Sequence, residues 1–252
     1  MTEPYVNSEI NNSVATITFF HPAHNSLPGK HLAQLADEIT TAGQNSDVKV
    51  VILKSGGNRT FCAGASFKEL IHIENKEQGK QFFSGFANVI NAMRKCPKFI
   101  IGRIQGKTVG GGVGLASATD YCLATKYAAI KLSELNLGIG PFVVGPAVER
   151  KIGVSGMSQI AINASEFYSA EWAKQKGLFA DVFDSTEILD EAVKELSDKL
   201  CGYNPEAVKH MKQMFWRGTE DWDELLMQRA KISGELVLSQ FTKEKLARFK
   251  DK

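Results

Sequence analysis

Two segments rich in glycine and alanine, each following an apolar β-like run, constrain this chain most. They are residues 61–65, with the sequence FCAGA, and residues 109–115, with the sequence VGGGVGL. Small residues let a backbone approach a ligand closely, and free N–H groups at the start of a helix point at negative charge. A tight turn that merely needs positive φ would use the same residues, so each segment alone is open to both interpretations.

Composition excludes several classes of protein. The 252 residues fit one domain with a large core, and a formal net charge of +2 gives no basic face for nucleic acid. The four cysteines form no C-x-x-C pair and no zinc-ligand spacing, which predicts reduced thiols and no metal site. No secretory signal and no run of about 18 apolar residues is visible, so we predict a cytoplasmic protein that does not enter membranes.

The order of strand-like and helical patterns predicts an α/β fold. We expect strands at residues 14–20, 48–53, 99–104, 121–124 and 129–132, and helices at residues 29–41 and 67–92, the second broken near Asn75. After Pro141 strand signals almost vanish. Helical periodicity then covers residues 145–152, 157–164, 170–176, 187–200, 205–215 and 222–249.

The glycine-rich stretch fails two nucleotide-binding motifs. A phosphate loop ending in Gly106-Lys107-Thr108 would need glycine at position 101, which is Ile101. A G-x-G-x-x-G fingerprint would need a third glycine at Leu115 or at position 117, which is serine, so NAD or FAD is not indicated.

The two small-residue segments together predict an oxyanion hole. An oxyanion needs two convergent donors, and the backbone N–H groups of Ala63 and Gly111 are the candidates. Each such donor typically contributes about 3 kcal/mol in the transition state. Glu134 follows a predicted strand in apolar surroundings, which would raise its pKa and suit it to proton transfer. A solvent-facing glutamate or a helix cap is the alternative for Glu134.

At these residues the chain resembles the crotonase superfamily, the enoyl-CoA hydratase/isomerase family. The similar motifs extend over nearly the whole length: Asn25-Ser26-Leu27, residues 61–70, residues 105–112 with Asp120, Ser133-Glu134 with Leu137-Gly138, Ala170 to Leu178, Asn204-Pro205 and the final Phe249-Lys250. The resemblance implies a crotonase-like spiral of ββα units over residues 1–200. It also implies a helical region over residues 201–252 that forms a trimer and covers the active site.

The resemblance further implies an acyl-CoA thioester as substrate, in fatty acid metabolism. No separate cofactor is implied, because coenzyme A enters as part of the substrate, and the expected assembly is a homotrimer or a dimer of trimers. We expect the acyl pocket between Glu69 and Phe86 and around Phe142. The residues expected to contact the substrate are Cys62, Ala65, Lys68, Gly110, Gly114, Phe142 and Phe249.

Two departures from the family pattern bear on the reaction. Gly114 stands where the best-known hydratases carry the first of two catalytic glutamates, and Ser66 replaces an aspartate. The stretch 138–146 looks most like the methylglutaconyl-CoA hydratase branch, so we predict a hydratase-type lyase with Glu134 as its single catalytic glutamate. Isomerisation of the double bond and decarboxylation remain alternatives. A non-catalytic CoA-ester-binding protein is a further alternative. A phosphate-loop nucleotide binder is an alternative from another class of protein.

Overall fold

The structure, a computed structural model, describes residues 3–247, and these form two β-sheets surrounded by helices. The ten strands are β1 Tyr5–Asn11, β2 Val14–Phe20, β3 Val50–Ser55, β4 Thr60–Cys62, β5 Phe99–Ile104, β6 Lys107–Val109, β7 Tyr121–Thr125, β8 Ala129–Lys131, β9 Tyr168–Ser169 and β10 Asp181–Phe183. The larger sheet has the order β1-β2-β3-β5-β7-β10, and the smaller has the order β4-β6-β8-β9.

Ten α-helices accompany the strands, together with a 3₁₀ helix at Glu134–Leu137. They are α1 Gly29–Gln44, α2 Phe67–Leu70, α3 Lys76–Lys95, α4 Gly111–Ala118, α5 Gly145–Ile162, α6 Ala170–Gln175, α7 Thr186–Cys201, α8 Pro205–Phe215, α9 Trp222–Leu236 and α10 Gln240–Ala247. In the described part of the chain, no helix is both long enough and apolar enough to cross a bilayer.

A strand–strand–helix unit repeats three times along the chain. β3, β5 and β7 lie in the larger sheet, and each is followed by a strand of the smaller sheet, β4, β6 and β8. A helical segment follows each pair. All the pairings among these six strands are parallel, so the units follow one another in a spiral. The predicted architecture of ββα units is confirmed.

Periodicity located most elements, and it missed the shortest strands. β9 and β10 lie in the region where almost no strand signal was expected, and β10 pairs with β7 in parallel through Val182 and Ala124. Strands of two or three residues are too short to show an alternating pattern. β1 was also not expected, and it pairs antiparallel with β2 along its whole length.

The C-terminal run expected at residues 222–249 is two helices within the described residues, so that expectation is wrong. The side-chain oxygen of Ser239 accepts a hydrogen bond from the Thr242 N–H (3.3 Å) and caps α10. The runs expected at 145–152 and 157–164 correspond to the two parts of α5, which a non-helical residue, Gly153 with a φ of 68°, separates; the second part ends at Ile162.

Helix α9 and Trp216, which directly follows α8, share the main hydrophobic core with the sheets. Trp216, Trp222, Leu226 and Ala230 belong to the same buried cluster as the strand side chains, and α9 packs along α3. The proposed boundary at residue 200 and the trimer-forming role of the region beyond it stay predictions.

A buried carboxylate joins α8 to the larger sheet. Asp120 accepts hydrogen bonds from the Lys212 ammonium (2.8 Å), the Trp216 indole N–H (3.1 Å) and the backbone N–H of Ile100 (2.8 Å). The side chains of Lys212 and Asp120 are 2% and 6% exposed. Because both charges are desolvated, removal of one partner leaves the other uncompensated.

We therefore expect Lys212→Ala to lower the free energy of unfolding by about 3–5 kcal/mol. Lys209→Ala, on the same helix, is the matched control, because Lys209 makes a 3.7 Å ion pair with Glu206 in which both side chains are solvent-exposed. Its loss should cost less than about 1 kcal/mol. Equal losses of unfolding free energy for the two substitutions in denaturant titrations would contradict the view that the buried Lys212–Asp120 pair joins α8 to the sheet.

Candidate active site

A cavity of about 350 Å³ lies where the loops after β4, β6 and β8 meet. Its walls come from these loops, α2, α3, the 3₁₀ helix and the segment after it, with one contribution from α9. The lining residues are Ala23, Ser26, Ala63, Gly64, Ala65, Phe67, Leu70, Phe82, Phe83, Phe86, Val109, Gly110, Gly111, Ser133, Glu134, Leu137, Ile139, Gly140, Pro141, Phe142, Val143, Val144 and Ser233. The volume suits a small-molecule ligand.

The two small-residue segments lie side by side at this cavity. β4 pairs with β6 in parallel, with Cys62 opposite Thr108, so the chain leaves both strands at the same edge of the smaller sheet. Gly64 has a φ of 91°, and a Cβ there would lie 3.2 Å from the carbonyl oxygen of Val109 and 3.5 Å from the backbone nitrogen of Gly111. The convergence expected from the sequence is therefore present.

The hydrogen bonds within these segments determine which backbone N–H groups are free to bind an oxyanion. The Ala63 N–H donates to the carbonyl oxygen of His24 (3.2 Å), so it already has an acceptor. Within residues 3–247, neither the Ala65 N–H nor the Gly111 N–H has one. The assignment of Ala63 as an oxyanion donor is therefore corrected, and Ala65 takes its place as the candidate beside Gly111.

Pairing with Leu27 explains the direction of the Ala65 amide. The Leu27 N–H donates to the Gly64 carbonyl (2.8 Å), and the Ser66 N–H donates to the Leu27 carbonyl (3.1 Å). In extended backbone successive amides point to opposite sides, so the Ala65 N–H faces away from Leu27. The local sequence pattern does not reveal that the Ala65 N–H is free, because the direction of this amide depends on a pairing partner about forty positions away.

Helix α4 begins at the cavity and is buried along its whole length. Gly111 is its first residue, so the Gly111 N–H belongs to the unsatisfied donors of a helix N-terminus, where the partial charge is positive. Gly110 precedes it with a φ of 55°, a conformation that residues with a Cβ rarely adopt. A Cβ at position 110 would lie 3.1 Å from Oε1 of Glu134.

Glu134 is the first residue of the 3₁₀ helix, and neighbouring strands bring it to the glycines. β8 pairs with β6, and the Gly110 N–H donates to the Lys131 carbonyl (2.8 Å). In the described part of the chain, Oε2 of Glu134 is buried and has no hydrogen-bond partner. Burial raises the pKa of Glu134 to about 7, although the backbone N–H groups of Ser133 and Glu134 oppose the shift.

Ala65, Gly110 and Phe142, expected from the sequence to contact substrate, line the cavity. The residues expected to wall the acyl pocket also lie there: Leu70 of α2 and Phe82, Phe83 and Phe86 of α3. Ser233, on α9, also lines the cavity and was not expected. No local signal marks it, because only the packing of α9 on α3 brings it there.

Three expected contact residues lie elsewhere, and a fourth is not described. Cys62 is buried behind the cavity, where its sulfur accepts a hydrogen bond from the Gly64 N–H (3.4 Å) and burial raises its pKa to about 12. Lys68 is exposed on α2, and Phe249 lies outside the described residues. Gly114 is buried in α4, where a Cβ would lie 2.5 Å from Cγ1 of Val144. Substrate contact by these four stays a prediction.

Known proteins share this chain's sequence pattern. A profile of the enoyl-CoA hydratase/isomerase family matches residues 9–252, and the chain therefore belongs to this family. The short-chain-enoyl-CoA hydratase of Clostridium acetobutylicum is 29% identical over 247 residues, covering 97% of this chain and 94% of that protein. A peroxisomal Delta(3,5)-Delta(2,4)-dienoyl-CoA isomerase of Arabidopsis thaliana is 28% identical over 231 residues, covering 85% and 81%.

A solved structure shares the fold. The enoyl-CoA hydratase of Bacillus halodurans superposes with a TM-score of 0.89 at 20% sequence identity, covering 97% of this chain and 99% of that one. The expected crotonase fold is thereby confirmed. Among residues 3–247, no group of three or more His, Cys, Asp or Glu side chains could hold a metal ion.

The packing of Gly114 against Val144 predicts the effect of adding a side chain. Gly114→Ala should lower the free energy of unfolding by about 1–3 kcal/mol, because the new methyl overlaps Val144. Val144→Ala should restore part of that loss in the double variant, which a double-mutant cycle measures. Gly29→Ala is the control, because a Cβ there meets nothing closer than 3.7 Å. Purely additive effects would contradict the contact.

The raised pKa of Glu134 predicts how stability changes with pH. In the unfolded chain the carboxyl ionises near 4.5, whereas in the folded chain it ionises near 7. The folded state therefore binds more protons between these values, and stability falls as pH rises through this range. Compared with Glu134→Gln, the wild type should lose about 3 kcal/mol between pH 4 and pH 8. Parallel pH profiles of the two unfolding free energies would show that Glu134 has an ordinary pKa.

Proposed function

We propose that this chain is an enoyl-CoA isomerase that moves a carbon–carbon double bond through a thioester enolate. One observation carries the proposal: Glu134, whose Oε2 atom is buried, lies beside the N-terminus of α4 and is the one charged side chain in the cavity lining among residues 3–247. Moving a double bond requires one group that removes a proton at one carbon and returns it at another. Glu134 fits this role, since its pKa of about 7 lets it exchange a proton near neutral pH.

In the proposed reaction a 3-enoyl thioester binds with its carbonyl oxygen between the N–H groups of Ala65 and Gly111. Ionised Glu134 takes a proton from C2, and the electron pair delocalises over the diene to the thioester oxygen. The two N–H groups and the N-terminus of α4 stabilise that oxygen. Protonated Glu134 then delivers the proton to C4, which yields the 2-enoyl thioester. No atom is gained or lost, and Glu134 returns to its starting state.

The character of the cavity supports isomerisation over hydration, reversing the order inferred from the sequence. Hydration needs a water held by two to four polar groups beside the double bond. Within the described residues, the lining offers Glu134 and three serines, and apolar side chains form most of the remaining wall. Val144 also fills the space that a side chain at Gly114 would need, so a second carboxylate is not accommodated there.

Hydration remains the second candidate because Ser133 lines the cavity next to Glu134. Its hydroxyl could share a water with the unpartnered Oε2 of Glu134, and the name of the Clostridium relative is that of a hydratase. Such a site would add this water across a 2-enoyl thioester.

The experiment supplies 3-hexenoyl-CoA and 2-hexenoyl-CoA separately in D₂O and identifies the products by mass and by NMR. We expect the 3-enoyl ester to become the 2-enoyl ester, at a rate that rises with pH through about 7 as Glu134 ionises. Deuterium should enter C4 only in the fraction of turnovers in which protonated Glu134 exchanges with solvent before it delivers its proton. Glu134→Gln should slow turnover by about 10²–10⁴-fold, because the proton carrier is lost, while CoA-ester binding persists.

Glu166→Gln is the matched control, because Glu166 is exposed and outside the cavity lining. Formation of 3-hydroxyhexanoyl-CoA from the 2-enoyl ester, without conversion of the 3-enoyl ester, would establish hydration instead. Wild-type rates in Glu134→Gln would refute the role of Glu134 in either reaction.

A further inference from the structure

Away from Glu134, the cavity is a chamber lined mostly by hydrocarbon side chains, and Ser26 and Ser233 are its polar side chains among the described residues. Three phenylalanines of α3 form one side, and two of them, Phe82 and Phe83, pack edge to face with ring centroids 5.0 Å apart. Leu137, the last residue of the 3₁₀ helix, and Ile139, which follows the helix, also contribute to the wall. No Lys, Arg or His is found in the lining among residues 3–247.

A second layer of apolar side chains backs this chamber. Leu70 and Ile139 pack in one cluster with Val237 and Leu246, which come from the C-terminal helical region. A charged group at the end of a bound acyl chain would therefore meet no cation in the part of the wall that residues 3–247 form, and hydrocarbon lies behind part of that wall. Lys68 directly follows the lining residue Phe67 in the sequence, but it is exposed on α2 and lies outside the lining.

We propose that the acyl group taken by this site is an uncharged hydrocarbon chain, and that a second carboxylate at its far end is rejected. The inference rests on the proposed function for one point, that the thioester lies at the Glu134 end and directs the chain into the chamber. It separates this protein from the methylglutaconyl-CoA hydratase branch that its sequence resembles, because a methylglutaconyl group carries a second carboxylate.

Two physical effects make the preference measurable. Each additional buried methylene tightens binding by about fourfold, which corresponds to about 0.8 kcal/mol. A carboxylate moved from water into this mostly apolar wall loses its hydration and gains no cationic partner among the described lining residues, so its ester binds more weakly than the matched hydrocarbon. The lone carboxylate of Glu134 in the lining adds repulsion when ionised.

The test measures equilibrium binding of saturated CoA thioesters to the wild-type protein, so that it does not depend on turnover. Butyryl-, hexanoyl- and adipyl-CoA are compared by competition, with free CoA as reference. Hexanoyl-CoA should bind about fifteenfold more tightly than butyryl-CoA, because it buries two more methylenes, and adipyl-CoA should bind at least tenfold more weakly than hexanoyl-CoA. Adipyl-CoA binding within threefold of hexanoyl-CoA, or the absence of a chain-length dependence, would overturn the proposal.

A variant pair assigns the preference to the chamber. Phe82→Leu should reduce the ratio of hexanoyl- to butyryl-CoA affinity by at least threefold, because it removes part of the wall. Phe167→Leu is the control and should leave the ratio unchanged, since Phe167 is an exposed ring beside Lys107 and Lys131 and outside the lining. If the ratio of hexanoyl- to butyryl-CoA affinity is the same in both variants, the chain-length preference does not come from the chamber wall, and its assignment to the chamber is refuted.

The outcomes also separate this inference from the proposed function. Chain-length preference without isomerisation would leave the specificity intact and refute the reaction. Isomerisation together with equal binding of adipyl-CoA and hexanoyl-CoA would support the proposed reaction and refute the specificity. If no CoA ester binds more tightly than free CoA, both the specificity and the proposed site are refuted.

Discussion

Parallel pairing within the smaller sheet is the constraint on which the site depends. β6 lies between β4 and β8, so the carboxyl ends of three strands point to one edge. The segments that follow, which carry Ala65, Gly111 and Glu134, are separated by up to about 70 positions in the chain, yet they meet around one cavity. A short strand thus determines the site more than any single side chain does, because its register decides which backbone groups come together.

Burial gives the converged groups their chemical character. The Oε2 atom of Glu134 is removed from water without receiving a protein hydrogen bond in the described part of the chain, and the resulting pKa of about 7 suits proton exchange at neutral pH. Among residues 3–247, two N–H groups of the site, those of Ala65 and Gly111, also have no acceptor. Unsatisfied polar groups are costly to a folded protein. Their accumulation at one cavity is consistent with a ligand that completes them.

Much of the fold could be predicted from the sequence, and the exceptions are instructive. The long helices and the buried strands show clear periodicity, whereas β9 and β10 owe their existence to partners in β8 and β7. The break between α9 and α10 was hidden by a continuous helical pattern and depends on the cap supplied by Ser239. Glu134, Gly111 and Ala65 were recognised as site residues from motifs, and the error at Ala63 came from a hydrogen bond to distant His24.

The sequence by itself determined the membership of the family, the alternation of strands and helices, and the presence of one well-placed carboxylate, because these follow from local pattern and motif. Only the tertiary structure decided which amides remain free, how an apolar chamber forms between α3 and the 3₁₀ helix, and why a side chain at Gly114 would overlap Val144. These properties depend on distances between segments that are remote in the chain. Such distances are set by strand register and helix packing, which no local pattern encodes.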